Sequence, residues 1–287
     1  MSSLQHCQIE TNGVRLHAVV AGPEGGPVVI FLHGFPEFWY SWRRQIEHFA
    51  RAGYRVIVPD QRGYNLSDKP SDIADYSIKQ LAGDVAGVID TVKWQQVSVV
   101  GHDWGGAVAF WLARHRPERV GRLVVINAPH FAVLPAEFRR NFKQLWRSRY
   151  MFFMQAPWLP ETMYKQANYA RLVKALRRTS RPGTFSDDDI QQYRQAWAQP
   201  DALRSMVNWY RALLRHRPKL PDDVDVRVAT LLLWGEQDRF LGKELAEASI
   251  AHCPHGRLVT FDDATHWLHL EEPQRVNALI EEFLAGA

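Results

Sequence analysis

Two hydrophobic rhythms alternate along the first half of the chain. Short apolar, β-rich runs at Val14 to Val20, Val28 to Leu32, Arg55 to Pro59, Val97 to Val100 and Leu123 to Ile126 predict strands. Between them, Trp42 to Ala52, Ile78 to Val92 and Ala107 to His115 read as helices with an apolar face. Strand and helix in turn predict a mostly parallel sheet covered on both faces. From about His130 to Leu220 the texture changes: Trp, Tyr, Phe, Met, Arg and Gln dominate, β-branched runs disappear, and an all-helical insertion is predicted. Strand, strand and helix resume at Ala229 to Leu233, Leu258 to Phe261 and Val276 to Leu284, with Pro273 in the first turn of the last helix. The predicted organisation is an α/β core of residues 1–129 and 221–287 carrying a helical cap of residues 130–220.

Composition narrows the class. The chain has 287 residues, 46 % of them hydrophobic and 12 % aromatic, enough for a large buried core and unlike disordered or fibrous sequences. Residues 1–10 lack an apolar stretch behind a basic start, and no run approaches the ~18 apolar residues that span a bilayer, so a soluble, cytoplasmic protein is expected. Cys7 and Cys253 stand far apart without a Cys/His cluster, which argues against disulfides and metal. The net charge of +4 is uneven: residues 130–220 hold 17 Lys/Arg against 6 Asp/Glu. Scattered at helical spacing, these cations read first as solvated faces; a sharper reading is a field that attracts an anionic substrate such as a fatty-acid derivative. No motif supports nucleic-acid binding, and the sequence leaves monomer or homodimer open.

The candidate chemistry centres on Val-Ser-Val-Val-Gly-His-Asp-Trp-Gly-Gly, residues 97–106. Strand, sharp glycine turn and helix are the setting of a nucleophile elbow, but here Asp103 occupies the position that usually holds serine. A serine oxygen attacking an sp³ carbon would leave an ether, a dead end. A carboxylate makes an alkyl ester, which activated water can cleave at the aspartate's own carbonyl. Asp103 therefore implies displacement at saturated carbon, with an epoxide oxygen or a halide leaving. The partners needed for ester cleavage follow in chain order. Asp238 ends the buried run 228–238, and His266 lies in the loop 262–267. His266 is the candidate base for water, Asp238 its orienting acid and Glu236 the rival acid. The turn His-Gly-Phe-Pro-Glu, 33–37, offers the amide of Phe35, to pair with the amide of Trp104 as an oxyanion hole. Its Phe-Pro bond is a candidate cis peptide.

These motifs, with Ser-Trp-Arg at 41–43, Asp-Gln-Arg-Gly-Tyr at 60–64 and Thr-His-Trp at 265–267, make the chain resemble an epoxide hydrolase of the α/β-hydrolase fold from about Asn12 to Leu284. The resemblance implies a small hydrophobic epoxide substrate, no cofactor, and two cap tyrosines, Tyr150 and Tyr210, that bind and protonate the epoxide oxygen. Tyr164 and Tyr169 lack the matching context and are set aside. The aromatic cap itself suggests an apolar tunnel, for which Trp146, Phe152, Phe153, Met154 and Trp158 are the candidate walls and Phe153, with Phe35 and Trp104, a substrate contact. Haloalkane dehalogenases share His-Asp-Trp-Gly-Gly and form the alternative. Many of them carry asparagine after His-Gly, where this chain has Phe35, and the arginines of a fluoroacetate dehalogenase are replaced by Trp104 and Ala107. A catalytically silent carrier of a hydrophobic ligand would be expected to have lost part of this set. Asn65 stands where glycine is frequent, a position that asparagine tolerates in left-handed backbone.

Overall fold

The computed structural model describes residues 4–220 and 222–286. Residues 1–3, where the N-terminal reading begins, 221, where the core is expected to resume, and 287 lie outside the described residues. The strands are Gln5–Thr11 (β1), Val14–Ala21 (β2), Val28–Leu32 (β3), Arg55–Pro59 (β4), Val97–His102 (β5), Val120–Ile126 (β6), Ala229–Gly235 (β7) and Gly256–Phe261 (β8). They form one sheet in the order β1-β2-β4-β3-β5-β6-β7-β8, parallel from β4 through β8 and antiparallel at β1–β2 and β2–β4. The sheet is thus mostly parallel and flanked by helices, the α/β-hydrolase fold that the resemblance implies.

Alternation within the central strands explains the layers. Val28, Ile30 and Leu32 of β3, and Leu123 and Val125 of β6, face one apolar cluster; Val29, Phe31, Val124 and Ile126 face the other. The first cluster takes in helices Ile78–Asp90 (α2) and Trp104–His115 (α3), the second Arg43–Arg51 (α1). Both faces are therefore dry, as parallel strands require. β1 is additional to the strands that the hydrophobic pattern predicts. It is an edge strand exposed at alternate positions, joined to β2 by Asn12 and Gly13 at φ +44° and +77°, the two positive angles of a tight hairpin turn.

Between β6 and β7, the described residues form helices only: Val133–Arg140 (α4), Phe142–Arg147 (α5), Arg149–Phe153 (α6), Leu159–Thr179 (α7), Asp187–Trp197 (α8) and Ala202–Arg215 (α9). α7 is broken at Gln166–Tyr169, where Ala167, Asn168 and Tyr169 all take positive φ. Two indole N–H groups fasten these helices to core loops: Trp197 donates to the Pro36 carbonyl (2.7 Å) and Trp209 to the Arg62 carbonyl (3.0 Å). Arg62 is itself held by a buried two-point pair with Asp84 (2.6 and 2.8 Å). Asn65, beside it, sits at φ +40°, the left-handed angle expected of it. The chain ends with Lys243–Ile250 (α10), Leu268–Glu271 (α11) and Pro273–Ala285 (α12). α12 opens on proline, as the sequence predicts, and packs with α1 on the second face.

Candidate active site

Asp103 lies where β5 turns into α3. Its backbone is forced to φ +50°, ψ −120°, a region L-residues avoid, and the surrounding contacts hold it there. Two close approaches make this possible. A side chain at position 34 would put its Cβ 2.4 Å from Asp103 Cβ, and one at 105 would meet the Leu32 carbonyl oxygen at 2.1 Å, so both positions require glycine. The Phe35 N–H donates to Asp103 Oδ1 at 2.8 Å. Asp103 also caps α3, where the unpaired first-turn N–H groups, Trp104's among them, favour negative charge. The Phe35-Pro36 peptide is cis, as its turn suggests.

Asp238 and His266 come to the same end of the sheet from the loops after β7 and β8. His266 Nδ1 donates to Asp238 Oδ2 at 2.7 Å, and His266 Nε2 stands 3.7 Å from Asp103 Oδ2. Asp238 Oδ1 accepts from the N–H groups of Phe240 (2.7 Å) and Leu241 (3.0 Å), and its Oδ2 also accepts from Asn127 Nδ2 (2.8 Å). Burial opposes charge at Asp238, but His266 and these donors outweigh it and hold the carboxyl below its usual range. Burial likewise opposes an imidazolium at His266; Asp238 first, then Asp103 and Glu37, outweigh it and push His266 up to about 9. Glu236, the rival acid, faces Lys243 Nζ at 3.5 Å instead.

Tyr150 of α6 and Tyr210 of α9 line one cavity of about 450 Å³ with Asp103 and Trp104. Tyr210 packs edge-on to Phe35 and Trp104 (ring centroids 5.2 Å each), and Tyr150 packs edge-on to Tyr210 at 5.8 Å. Both phenols are pushed well above their ordinary pKa, by burial first and by the charge of Asp103 among their neighbours. They are therefore neutral hydrogen-bond donors. The rest of the cavity is apolar, with Leu134, Phe138, Met151, Leu213 and Leu241 in its wall.

The tunnel expectation needs correcting in its residues. Trp146, Phe152 and Trp158 are exposed to solvent, and Phe153 and Met154 pack behind Tyr150 without lining the cavity. The helical period explains the error: the inward stripe of this stretch is Gln144, Ser148, Met151 and Met154, and the aromatic stripe lies opposite. Tyr164 and Tyr169 also lie off the cavity, Tyr164 in the cluster behind Tyr150 and Tyr169 against Trp197.

Three supporting groups carry no role in the sequence reading. Asn127, directly after β6 at φ +43°, donates to Asp238 and accepts from the Gly235 N–H (3.0 Å). Buried Glu37 accepts from the Gly34 N–H (3.0 Å) and pairs with His102 Nδ1 (2.8 Å), whose Nε2 donates to the carbonyl of His266 (2.8 Å). Burial opposes the Glu37 charge, yet His102 and His269 hold it well below the carboxylate range. Glu37, His102 and His269 could together offer three ligand atoms within 4.8 Å of one another. As they stand, the hydrogen bonds just described engage Glu37 and His102. Glu37 was visible within His-Gly-Phe-Pro-Glu; for Asn127 the signal was a polar residue closing the apolar run Leu123 to Ile126.

A family model described as alpha/beta hydrolase fold matches residues 27–273. The AB hydrolase superfamily protein YfhM of Bacillus subtilis is 45 % identical over 97 % of this chain and 97 % of its own. Human epoxide hydrolase 4 is 38 % identical over 97 % of this chain and 78 % of its length. Among solved structures, a Bacillus megaterium epoxide hydrolase in complex with an inhibitor superposes with a TM-score of 0.88 at 30 % identity, covering 97 % of this chain and all of that one. No described helix is long and apolar enough to cross a membrane.

Proposed function

This chain belongs to the α/β-hydrolase fold family and within it to the epoxide hydrolases, and from that membership we propose that it opens a hydrophobic epoxide to a vicinal diol through an ester on Asp103. The observation that carries the reading is a carboxylate at the elbow, 3.7 Å from a histidine whose far nitrogen is bound to a second buried carboxylate, in one cavity with two neutral phenols.

In the first step an oxygen of Asp103 forms a bond to one ring carbon while that carbon's bond to the epoxide oxygen breaks. The alkoxide that develops takes hydrogen bonds, then a proton, from Tyr150 and Tyr210. A halide would leave as a stable anion and need no such acid, so the two phenols favour the epoxide over the dehalogenase alternative. The His266 imidazolium of the resting protein then passes its Nε2 proton to the phenolate, and in the second step water attacks the ester carbon and gives a proton to the now neutral His266 Nε2. The amides of Phe35 and Trp104 hold the oxyanion, and its collapse releases the diol and restores the carboxylate. His266 is thereby left as the imidazolium it was at the start, closing the cycle without a cofactor.

Electrostatics links the two steps. Asp103 carries the charge that helps to keep His266 protonated and both phenols un-ionised. Esterification removes that charge, so all three pKa values fall together: a phenol gives up its proton more readily, and His266 becomes a base when one is needed. The inserted helices act as a cap that keeps the cavity apolar.

Incubation with a panel of aliphatic, aromatic and fatty-acid epoxides, assayed for diol, tests the activity. Diol formation is expected. Rapid halide release from a bromoalkane with no epoxide turnover would transfer the assignment to a dehalogenase, and inactivity on both would leave a ligand carrier.

A further inference from the structure

The segment from 138 to 160 is turned inside out for a helix pair facing water. Its inward stripe includes hydrogen-bonded polar groups: Gln144 bonds Ser148 (2.9 Å), the Phe240 carbonyl (2.8 Å) and the Gly242 N–H (3.0 Å). Its outward stripe is aromatic. Phe142, Trp146 and Trp158 are 81, 63 and 72 % exposed, and Phe152 is also exposed. Phe142 and Trp146 share one face of α5 at i, i+4, the Arg149 guanidinium lies 4.7 Å over the Trp146 ring, and Phe152 follows Arg149 at i+3 on α6. Phe142, Trp146, Arg149 and Phe152 therefore form one continuous strip, with Trp158 exposed further along the same segment.

The charge of this strip is of one sign. Residues 138 to 160 contain Arg139, Arg140, Lys143, Arg147 and Arg149 and no Asp or Glu. Among the described residues, no carboxylate lies within ion-pair distance of these five, although ion pairs are plentiful elsewhere on the surface. Exposed Trp and Phe interleaved with unpaired Arg and Lys are the composition that settles at a headgroup boundary, where rings reach the acyl region and cations meet phosphate. A second copy of the chain fits poorly, because a two-fold contact through this strip would oppose like charges.

We propose that residues 138–160 form a docking surface for a bilayer containing anionic lipids, with the protein lying on the membrane rather than spanning it. The strip adjoins α4, whose Phe138 and Arg139 line the cavity that holds Asp103. A lipid-dissolved ligand would meet the cavity mouth from the membrane side.

Flotation of the full-length protein with vesicles tests this without reference to activity. Binding is expected to phosphatidylcholine mixed with phosphatidylglycerol, weak or absent with phosphatidylcholine alone, and reversed by high salt. Each cation near an anionic surface contributes about fivefold to partitioning, so Arg140→Gln with Lys143→Gln should weaken binding on the order of tenfold or more. Phe142→Ser with Trp146→Ser should release the protein while leaving turnover of a water-soluble epoxide and the melting temperature unchanged. No binding to either vesicle, equal binding to both, or a concentration-dependent dimer abolished by the same substitutions would each overturn the proposal. None of these results would bear on the role of Asp103.

Discussion

Asp103, His266 and Asp238 stand in the turns and loops that follow strands and are each held by named hydrogen bonds, whereas Tyr150 and Tyr210 reach the same cavity from inserted helices, positioned by edge-on ring contacts of 5.2 to 5.8 Å. Directional bonds fix an orientation; apolar packing fixes a volume. The sheet side therefore resembles a single device, each part defining the next one's tautomer or charge. The helical side is two donors sharing one task. Loss of a member should be close to all-or-none on the first side and graded on the second.

The largest effect that would sharpen this contrast is that of His266→Gln. Overall turnover should fall on the order of 10³-fold, as for loss of a general base, while alkylation survives. Intact mass spectrometry should then find the protein heavier by one substrate mass. An unmodified protein that still consumes substrate would argue for direct attack by water.

Next in size, Tyr150→Phe and Tyr210→Phe should each slow alkylation on the order of 10²-fold, the effect of losing one donor to a developing oxyanion, and the double variant should be slower still. Rapid-mixing measurements of the first step would show it. Wild-type alkylation rates in both single variants would remove the phenols from the acid role, and complete loss in either one would erase the distinction between the two sides.

A third expectation concerns pH. His266 lies near 9 in the resting protein against 6.5 for a free imidazole. Because the folded value is raised, the stability it contributes is full below about 6.5 and is lost as pH rises through about 9. NMR titration of Asp103→Asn should show the imidazole deprotonating at lower pH than in the parent, since one anion facing it is gone. An unchanged titration would mean that Asp103 does not set the charge of His266, and the proposed link between the two steps would fail.

The smallest effect expected is from Trp197→Phe, which removes the indole hydrogen bond to the Pro36 carbonyl while keeping most of the ring. A cost of about 1 kcal/mol is expected from thermal unfolding. KM should rise more than kcat falls, because the change loosens the inserted helices against the Phe35 turn without touching the triad.

The same division explains what could be read in advance. Strand and helix alternation in the core follows period-2 and period-3.6 patterns directly, and the motifs around Asp103, Asp238 and His266 are local enough to be seen in sequence. β1 escaped because an edge strand exposed at alternate residues has little hydrophobic signal, although Asn12-Gly13 was a readable hairpin turn. In the insertion, aromatic content alone did not tell inward from outward. Trp146, Phe152 and Trp158 look like core residues, and only their placement in three dimensions, on α5, on α6 and just before α7, turns them to solvent. Asn127 and Glu37 matter through long-range bonds, over 111 and 65 positions, that no local pattern encodes.

On the proposed pathway the carboxylate of Asp103 becomes covalently joined to its substrate and is freed by water. A single turnover in ¹⁸O-water, followed by mass analysis of the peptide containing Asp103 and of the product, tests it most directly. The heavy oxygen is expected in the Asp103 side chain, with the first diol released carrying only the light oxygen that the carboxylate supplied. A labelled diol and an unlabelled Asp103 would contradict it.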